Sequence, residues 1–328
     1  MIAIQVENLT KRFNGSIAVD NISLSINSGE VFGLLGPNGA GKTTTISMLS
    51  TMLKPTSGSA SVNNFDILNN EDDVRKSIGI VFQDQSLDEE LTAYENMDFH
   101  GRLYRVPKKV REKKIIELLK LVELENKKNN LVKTFSGGMR RRLEIARGLL
   151  QEPKVLFLDE PTLGLDPQTR NSLWEYIKKL NTEKGITIIL TTHYMEEADR
   201  LCDRVAIIDK GKIIALDASE KLKEGMGGDV ITIKSSERDR LYAKINELSW
   251  VKRAEPHDDS VTISLQNAEK HVVDIVNLAS SNGIAIDSIS IHKPTLEDVF
   301  LHFTGRTIRE EESSTKDKMR MMHKMMGR

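Results

Sequence analysis

Gly36-Pro37-Asn38-Gly39-Ala40-Gly41-Lys42-Thr43-Thr44 has the residue types and spacing G-x-x-x-x-G-K-[ST] of a phosphate-binding loop. Glycines at these positions let backbone N–H groups turn inward onto phosphate oxygens, and a following helix N-terminus adds partial positive charge. Lys42 would reach the β- and γ-phosphates of a nucleotide, and the Thr43 hydroxyl would ligate Mg²⁺. A second chemical group is Asp159-Glu160, which ends the apolar run Val155-Leu156-Phe157-Leu158. Asp159 suits Mg²⁺ held largely through water, and Glu160 suits a general base for an attacking water. Gln83 and His193 end two further apolar runs. Each either reaches a ligand crevice at a strand end or serves only its own loop.

A third group opens a helix. Phe135-Ser136-Gly137-Gly138-Met139 precedes the amphipathic stretch to Arg147. Ser-Gly-Gly there makes a second anion-binding helix N-terminus, without the P-loop lysine. It either serves a nucleotide held by another copy of the chain or is an ordinary helix start with Ser136 as N-cap.

The elements that must carry these groups follow from hydrophobic period. Val31 to Leu35 reads as a buried strand feeding the loop, and Thr44 onward as a helix. Ile22 to Ile26 alternates with period two. Ile78 to Phe82, Lys154 to Leu158 and Ile186 to Leu190 are short apolar strands. Thr92 to Leu124 is helical in pattern, with Ile115, Leu118, Leu119 and Val122 at helix spacing. The Lys/Arg run from Arg105 to Lys114 is expected to be a solvated face. Leu163-Gly164-Leu165-Asp166 reads as a loop before a helix near Arg170 to Asn181. Phe13 is either a core ring or a ring that stacks on a base.

The 328 residues suggest about two domains. Lys+Arg number 47 and Asp+Glu 48, so no global basic field favours nucleic acid. No run approaches the roughly 18 apolar residues of a membrane span. The N-terminal residues have no signal-peptide pattern. Cys202 is the only cysteine, which excludes an intrachain disulfide and fits a reducing cytoplasm, with packing as its expected role.

In their order, the P-loop, Gln83, Ser-Gly-Gly, Asp-Glu, Gly-Leu-Asp and His193 resemble the nucleotide-binding subunit of ABC transporters. The resemblance covers residues 1–221. It implies an α/β P-loop NTPase cassette with a helical subdomain that binds and hydrolyses ATP with Mg²⁺. Phe13 would then stack on adenine, and Gln83 would couple near Mg²⁺ beside Thr43 and Asp159. Ser136 and Gly138 would touch the γ-phosphate in trans, Gly137 and Asp166 would join the nucleotide contacts, and His193 would be the switch histidine. The usual Leu-Ser-Gly-Gly-Gln reads Phe-Ser-Gly-Gly-Met here.

Beyond the linker Glu224-Gly225-Met226-Gly227-Gly228, residues 228–305 read β-α-β-β-α-β, a ferredoxin-like α+β arrangement, with a last helix. That helix, Leu296-Glu297-Asp298-Val299-Phe300, and the closing Thr304-Gly305-Arg306 resemble daunorubicin-resistance-type ATP-binding subunits. The narrower resemblance implies a homodimer driving a separate ABC-2-type permease, at the cytoplasmic membrane face, in export of drugs or lipids. Residues 306–328 read as a charged, Met-rich, disordered tail. From Lys316 to Arg328 its methionines fall on one side of a helical wheel and most of the basic residues on the other; this is either a frayed tail without a role or a helix that orders on an anionic membrane surface or a permease groove. The competing readings are a soluble ATP switch of the same superfamily, in translation or DNA repair, and a P-loop kinase. The chain has one cassette and only a short stretch between the P-loop and Ser-Gly-Gly. A kinase would lack that signature.

Overall fold

The computed structural model describes residues 1–251, 254–257 and 259–305. The proposed amphipathic tail lies outside them. The chain divides into two units, Met1–Ala215 and Leu216 onward.

The first unit contains a six-stranded sheet. Its order is Lys212–Asp217, Arg204–Asp209, Val31–Leu35, Thr187–Thr192, Val155–Asp159, Ile78–Val81. The inner strands pair in parallel, with Leu35 opposite Thr192 and Asp159 opposite Thr191. Val31–Leu35, Val155–Asp159 and Thr187–Thr192 are buried along their whole length. Parallel strands covered on both faces must be apolar throughout, which is why they read as continuous runs. Their carboxyl ends place Gly36, Glu160 and His193 along one edge of the sheet.

A second, antiparallel sheet is ordered Ser16–Asn27, Ile2–Phe13, Ser57–Val62, Phe65–Asp66. Here one face only is buried: Ile22, Leu24 and Ile26 point inward, as their period-two spacing predicts.

The stretch expected to be helical from Thr92 to Leu124 is two helices, Ala93–Leu103 and Lys108–Leu121. A Thr92/Glu95 capping box starts the first. Between them Arg105 takes a φ of +56°, and Pro107 stands at the start of the second. Proline lacks the N–H that a continuous helix needs and disfavours helical backbone before it. The basic run is likewise not wholly solvated. Arg111 is buried, its Nε 2.5 Å from Asp98 Oδ1 and its Nη1 donating to Val106 O at 2.7 Å. Ile115, Leu119 and Val122 pack with Leu143, Leu150 and Leu156 in the main core. Cys202 packs against that core beside Gly33, where an added Cβ would stand 2.7 Å from its Sγ.

The second unit holds an antiparallel sheet ordered Ala254–His257, Ser260–Leu265, Asp229–Lys234, Ser288–His292. Helices Arg238–Asn246 and Ala268–Ser281 supply Leu241, Ile245, Ile275 and Ala279 to a core with Ile231, Ile233 and Ile263. This is the β-α-β-β-α-β order that the sequence predicts. The last helix, Leu296–Thr304, is opened by a Thr295/Asp298 capping box and closed by Gly305 at φ +71°.

Candidate nucleotide site

The loop between strand Val31–Leu35 and helix Lys42–Leu49 needs glycine at particular points. An added Cβ would meet Ile208 O at 2.2 Å from Gly36 and Ala18 O at 2.4 Å from Gly41. Gly41 also has a φ of +108°, where a side chain is strained. The chain can thus turn tightly around a pocket of about 370 Å³. Asn38, Lys42, Thr43, Thr44, Gln83 and Glu160 are among its lining residues.

Within this pocket the charges are concentrated and dry. Lys42 Nζ donates to Gly36 O at 2.7 Å and Pro37 O at 3.0 Å, and lies 3.3 Å from Glu160 Oε1. Glu160 Oε2 is 3.3 Å from His193 Nδ1. Burial pushes the Glu160 carboxyl up, but its contact with His193 and the Lys42 charge outweigh that, so it sits below the ordinary carboxylate range. At neutral pH it is a carboxylate able to accept a proton.

Asp159 is 2% exposed. Its Oδ1 accepts from Thr43 Oγ1 at 3.2 Å and from Thr191 Oγ1 at 2.5 Å. An alcohol and a carboxylate oxygen meeting beside the loop are donors of the hard type that Mg²⁺ takes. No group of three or more His, Cys, Asp or Glu side chains among the described residues could cage a metal alone. A cation here would need ligands from a nucleotide and water, which is how Mg²⁺ is usually held.

The other predicted residues stand apart from the pocket lining. Ser136 is the N-cap of helix Gly137–Gly148, accepting from Met139 N at 3.3 Å, and is exposed. Gly138 is buried where a Cβ would meet Thr169 Cγ2 at 2.2 Å. Asp166 is the N-cap of helix Pro167–Lys184, its carboxylate accepting from Thr169 N at 3.0 Å. Phe13 is 42% exposed at the end of its strand, with Lys11 Nζ 5.1 Å from its ring centre.

Two buried acids near the site escaped the sequence reading. Glu197 Oε1 accepts from Thr162 Oγ1 at 2.8 Å and Trp174 Nε1 at 2.9 Å. Glu144 Oε2 pairs with Arg141 Nη1 at 3.0 Å. A polar residue at an inward helical position is the only signal for either, and it is weak in helices this rich in charge.

Comparison with known proteins agrees with this geometry. The ABC transporter family pattern matches residues 19–163, and that of the ATP-binding protein DrrA1-3-like C-terminal domain matches residues 218–304. The linearmycin resistance ATP-binding protein LnrL of Bacillus subtilis is 40% identical over 94% of this chain and 100% of its own. The daunorubicin/doxorubicin resistance ATP-binding protein DrrA of Streptomyces peucetius is 36% identical over 97% and 98%. Among solved structures, cbiO1 from Clostridium perfringens, part of the ABC transporter complex cbiONQ, aligns with a TM-score of 0.64. Its identity is 33%, over 69% of this chain and 93% of that one. The dimeric post-hydrolysis cassette MJ0796 bound to ADP and Pi aligns with a TM-score of 0.59 and 31% identity, over 66% and 98%. With a P-loop pocket that sets a carboxylate against its lysine, and relatives matching both units, the chain belongs to the ABC transporter family, as an ATP-hydrolysing subunit of the drug-resistance exporter type.

Proposed function

We propose that two copies of the chain close head to tail around two Mg-ATP molecules and drive a separate ABC-2-type membrane permease that exports drugs, lipids or similar compounds. The observation that carries this reading is the position of Ser136. The Ser136-Gly137-Gly138 helix start presents an anion-binding terminus to solvent, outside the pocket of its own chain. A second copy would bring the γ-phosphate of its own nucleotide to this terminus. The MJ0796 cassette, solved as a dimer with ADP and Pi, supports the arrangement.

In this reading the P-loop N–H groups and Lys42 hold the phosphates, and Thr43 and Asp159 hold Mg²⁺ with Gln83 beside them. Mg²⁺ would neutralise charge between the β- and γ-phosphates. Glu160 takes the proton of the attacking water, and His193, in contact with Glu160, faces the γ-phosphate. Phe13 offers its exposed ring to adenine, and Asp166, at the N-cap of helix Pro167–Lys184, joins the nucleotide contacts. The γ-phosphate bridges both copies, so hydrolysis removes the bridge and opens the dimer. No helix among the described residues is long and apolar enough to cross a membrane. In this reading the subunit works at the cytoplasmic face of the membrane through its permease, which contacts the region from Gln83 to Asn96.

A mixed dimer tests the in-trans geometry. Lys42→Ala in one copy and Ser136→Arg in the other should damage the same composite site and leave the second site intact. One occupied site per mixed dimer, counted with labelled nucleotide, is expected; none, the result if each copy used its own Ser136, would refute the arrangement.

A further inference from the structure

The roles above make no use of Arg141, although it is among the most heavily bonded side chains near the pocket. It lies in helix Gly137–Gly148, the helix that Ser136 caps, and is 6% exposed. Its guanidinium makes four bonds. Nε donates to Pro161 O at 2.9 Å and Nη2 to Asp159 O at 2.8 Å. Nη1 donates to Phe82 O at 2.5 Å and to Glu144 Oε2 at 3.0 Å. Glu144, 1% exposed, balances the charge, and its Oε1 accepts from Ser86 N at 2.9 Å. A guanidinium is costly to bury, and a fork of fixed N–H groups satisfied by three carbonyls and a carboxylate meets that cost through directed bonds.

Two of those carbonyls belong to the residues on either side of Glu160. Glu160 has a φ of +46°, a left-handed conformation that non-glycine residues rarely adopt. Such a conformation persists only where surrounding bonds over-determine it. The Glu160 N–H is held by Thr191 O at 3.2 Å and Thr191 Oγ1 at 3.0 Å. Thr191 fixes the amide side, and Arg141 fixes the flanking carbonyls. Because a side chain leaves its backbone in a direction set by φ and ψ, the same bonds set where the Glu160 carboxylate points.

We propose that Arg141 is a positioning residue for Glu160: by bridging the carbonyls of Asp159 and Pro161 it holds the left-handed turn that aims the carboxylate into the nucleotide pocket. The aim of the base thereby depends on the helix that begins at Ser136. The third carbonyl, Phe82 O, directly precedes Gln83, so the same guanidinium also fixes the start of the Gln83 loop. This inference rests on the reading of Glu160 as the base. Lysine at 141 would keep the positive charge beside Glu144, but its ammonium lacks the planar fork and cannot reproduce the set of bonds.

The test is a cycle of Arg141→Lys, Glu160→Gln and the double variant in the full chain. Single-turnover hydrolysis resolves the slow rates, and nucleotide titration gives ATP affinity. Arg141→Lys should lower the hydrolysis rate about tenfold or more while ATP affinity stays within about twofold, the pattern of a transition-state effect. The double variant should be no slower than Glu160→Gln alone, since two residues acting through one group are not additive. If Arg141→Lys does not fold, the paired Arg141→Met/Glu144→Leu variant removes both buried charges, and the same expectations apply to it. A normal rate in Arg141→Lys, a loss that falls on ATP affinity, or a further tenfold loss in the double variant would each overturn the inference and leave the base reading intact. Normal hydrolysis by Glu160→Gln alone would remove the base reading, and this inference with it.

Discussion

The ammonium of Lys42 and the carboxylate of Glu160 lie 3.3 Å apart, with side chains 5% and 7% exposed. In the function proposed above, this ion pair would join the lysine that holds the phosphates to the base. In that reading a γ-phosphate on Lys42 would compete for this contact and leave Glu160 to His193 and to water. Lys42→Ala should lose ATP affinity at least about a hundredfold, because a buried phosphate loses its main counter-charge. Glu160→Gln should keep ATP affinity, hydrolyse it poorly and accumulate as an ATP-bound dimer. Titration with a fluorescent nucleotide and sizing chromatography check both; unchanged affinity in Lys42→Ala would contradict the role of the loop.

Two buried carboxylates predict opposite pH dependences. Glu160 is held below the ordinary value of 4.5, so its contribution to stability is present above that value and lost as pH falls through its folded pKa. Glu197 is raised above 4.5, first by burial, against the hydrogen bonds of Thr192, Thr162 and Trp174. Its contribution is fully present below 4.5 and lost as pH rises through its folded value. Glu197→Gln keeps an acceptor for Thr162 and Trp174 and cannot ionise. Its Tm should equal or exceed that of the wild type near pH 8, and the difference should close towards pH 5. A Glu197→Gln chain that loses stability most steeply at alkaline pH would refute this account.

The two positive-φ glycines of the loop should respond unequally to alanine. At Gly41 an added Cβ meets Ala18 O at 2.4 Å, whereas at Gly39, with φ +82°, nothing lies within 4 Å. Gly39→Ala carries backbone strain alone, about 1 kcal/mol. Gly41→Ala adds a clash with backbone and should cost about 2–3 kcal/mol more, with loss of ATP binding. Denaturant unfolding of the two variants measures the difference.

Arg111→Met should cost about 1–3 kcal/mol, since it removes one of the two guanidinium partners of the partly buried Asp98, leaving Arg102, and the bond to Val106 O. Asp98 is pushed up by burial and brought below its ordinary value by Arg111 and Arg102. Lys108→Met, four-fifths exposed in the same basic run, should leave Tm unchanged. Equal Tm values for the two variants would show that Arg111 is solvated after all.

Much of this protein was determined by sequence alone, for a physical reason. A loop that wraps phosphate must have its glycines and its lysine within a few consecutive residues, so Gly36 to Thr44 is readable without a structure. Strands covered on both faces must be apolar, so Asp159-Glu160 at the end of such a run marks a sheet edge. Period two and period 3.6 likewise revealed the second unit as strands and helices. Tertiary structure decided what depends on residues far apart in the chain. Nothing near Lys42 says that it meets Glu160, and nothing near Arg141 says that it grips both neighbours of Glu160. Within the basic runs, composition is the same for Arg111 and Lys108. Only the packing of the helix Lys108–Leu121 against Ala93–Leu103 turns one charge inward, onto Asp98, and leaves the other in water. The same limit held for Ser136: its sequence marks a helix start, while its exposure outside its own chain's pocket is a matter of tertiary packing.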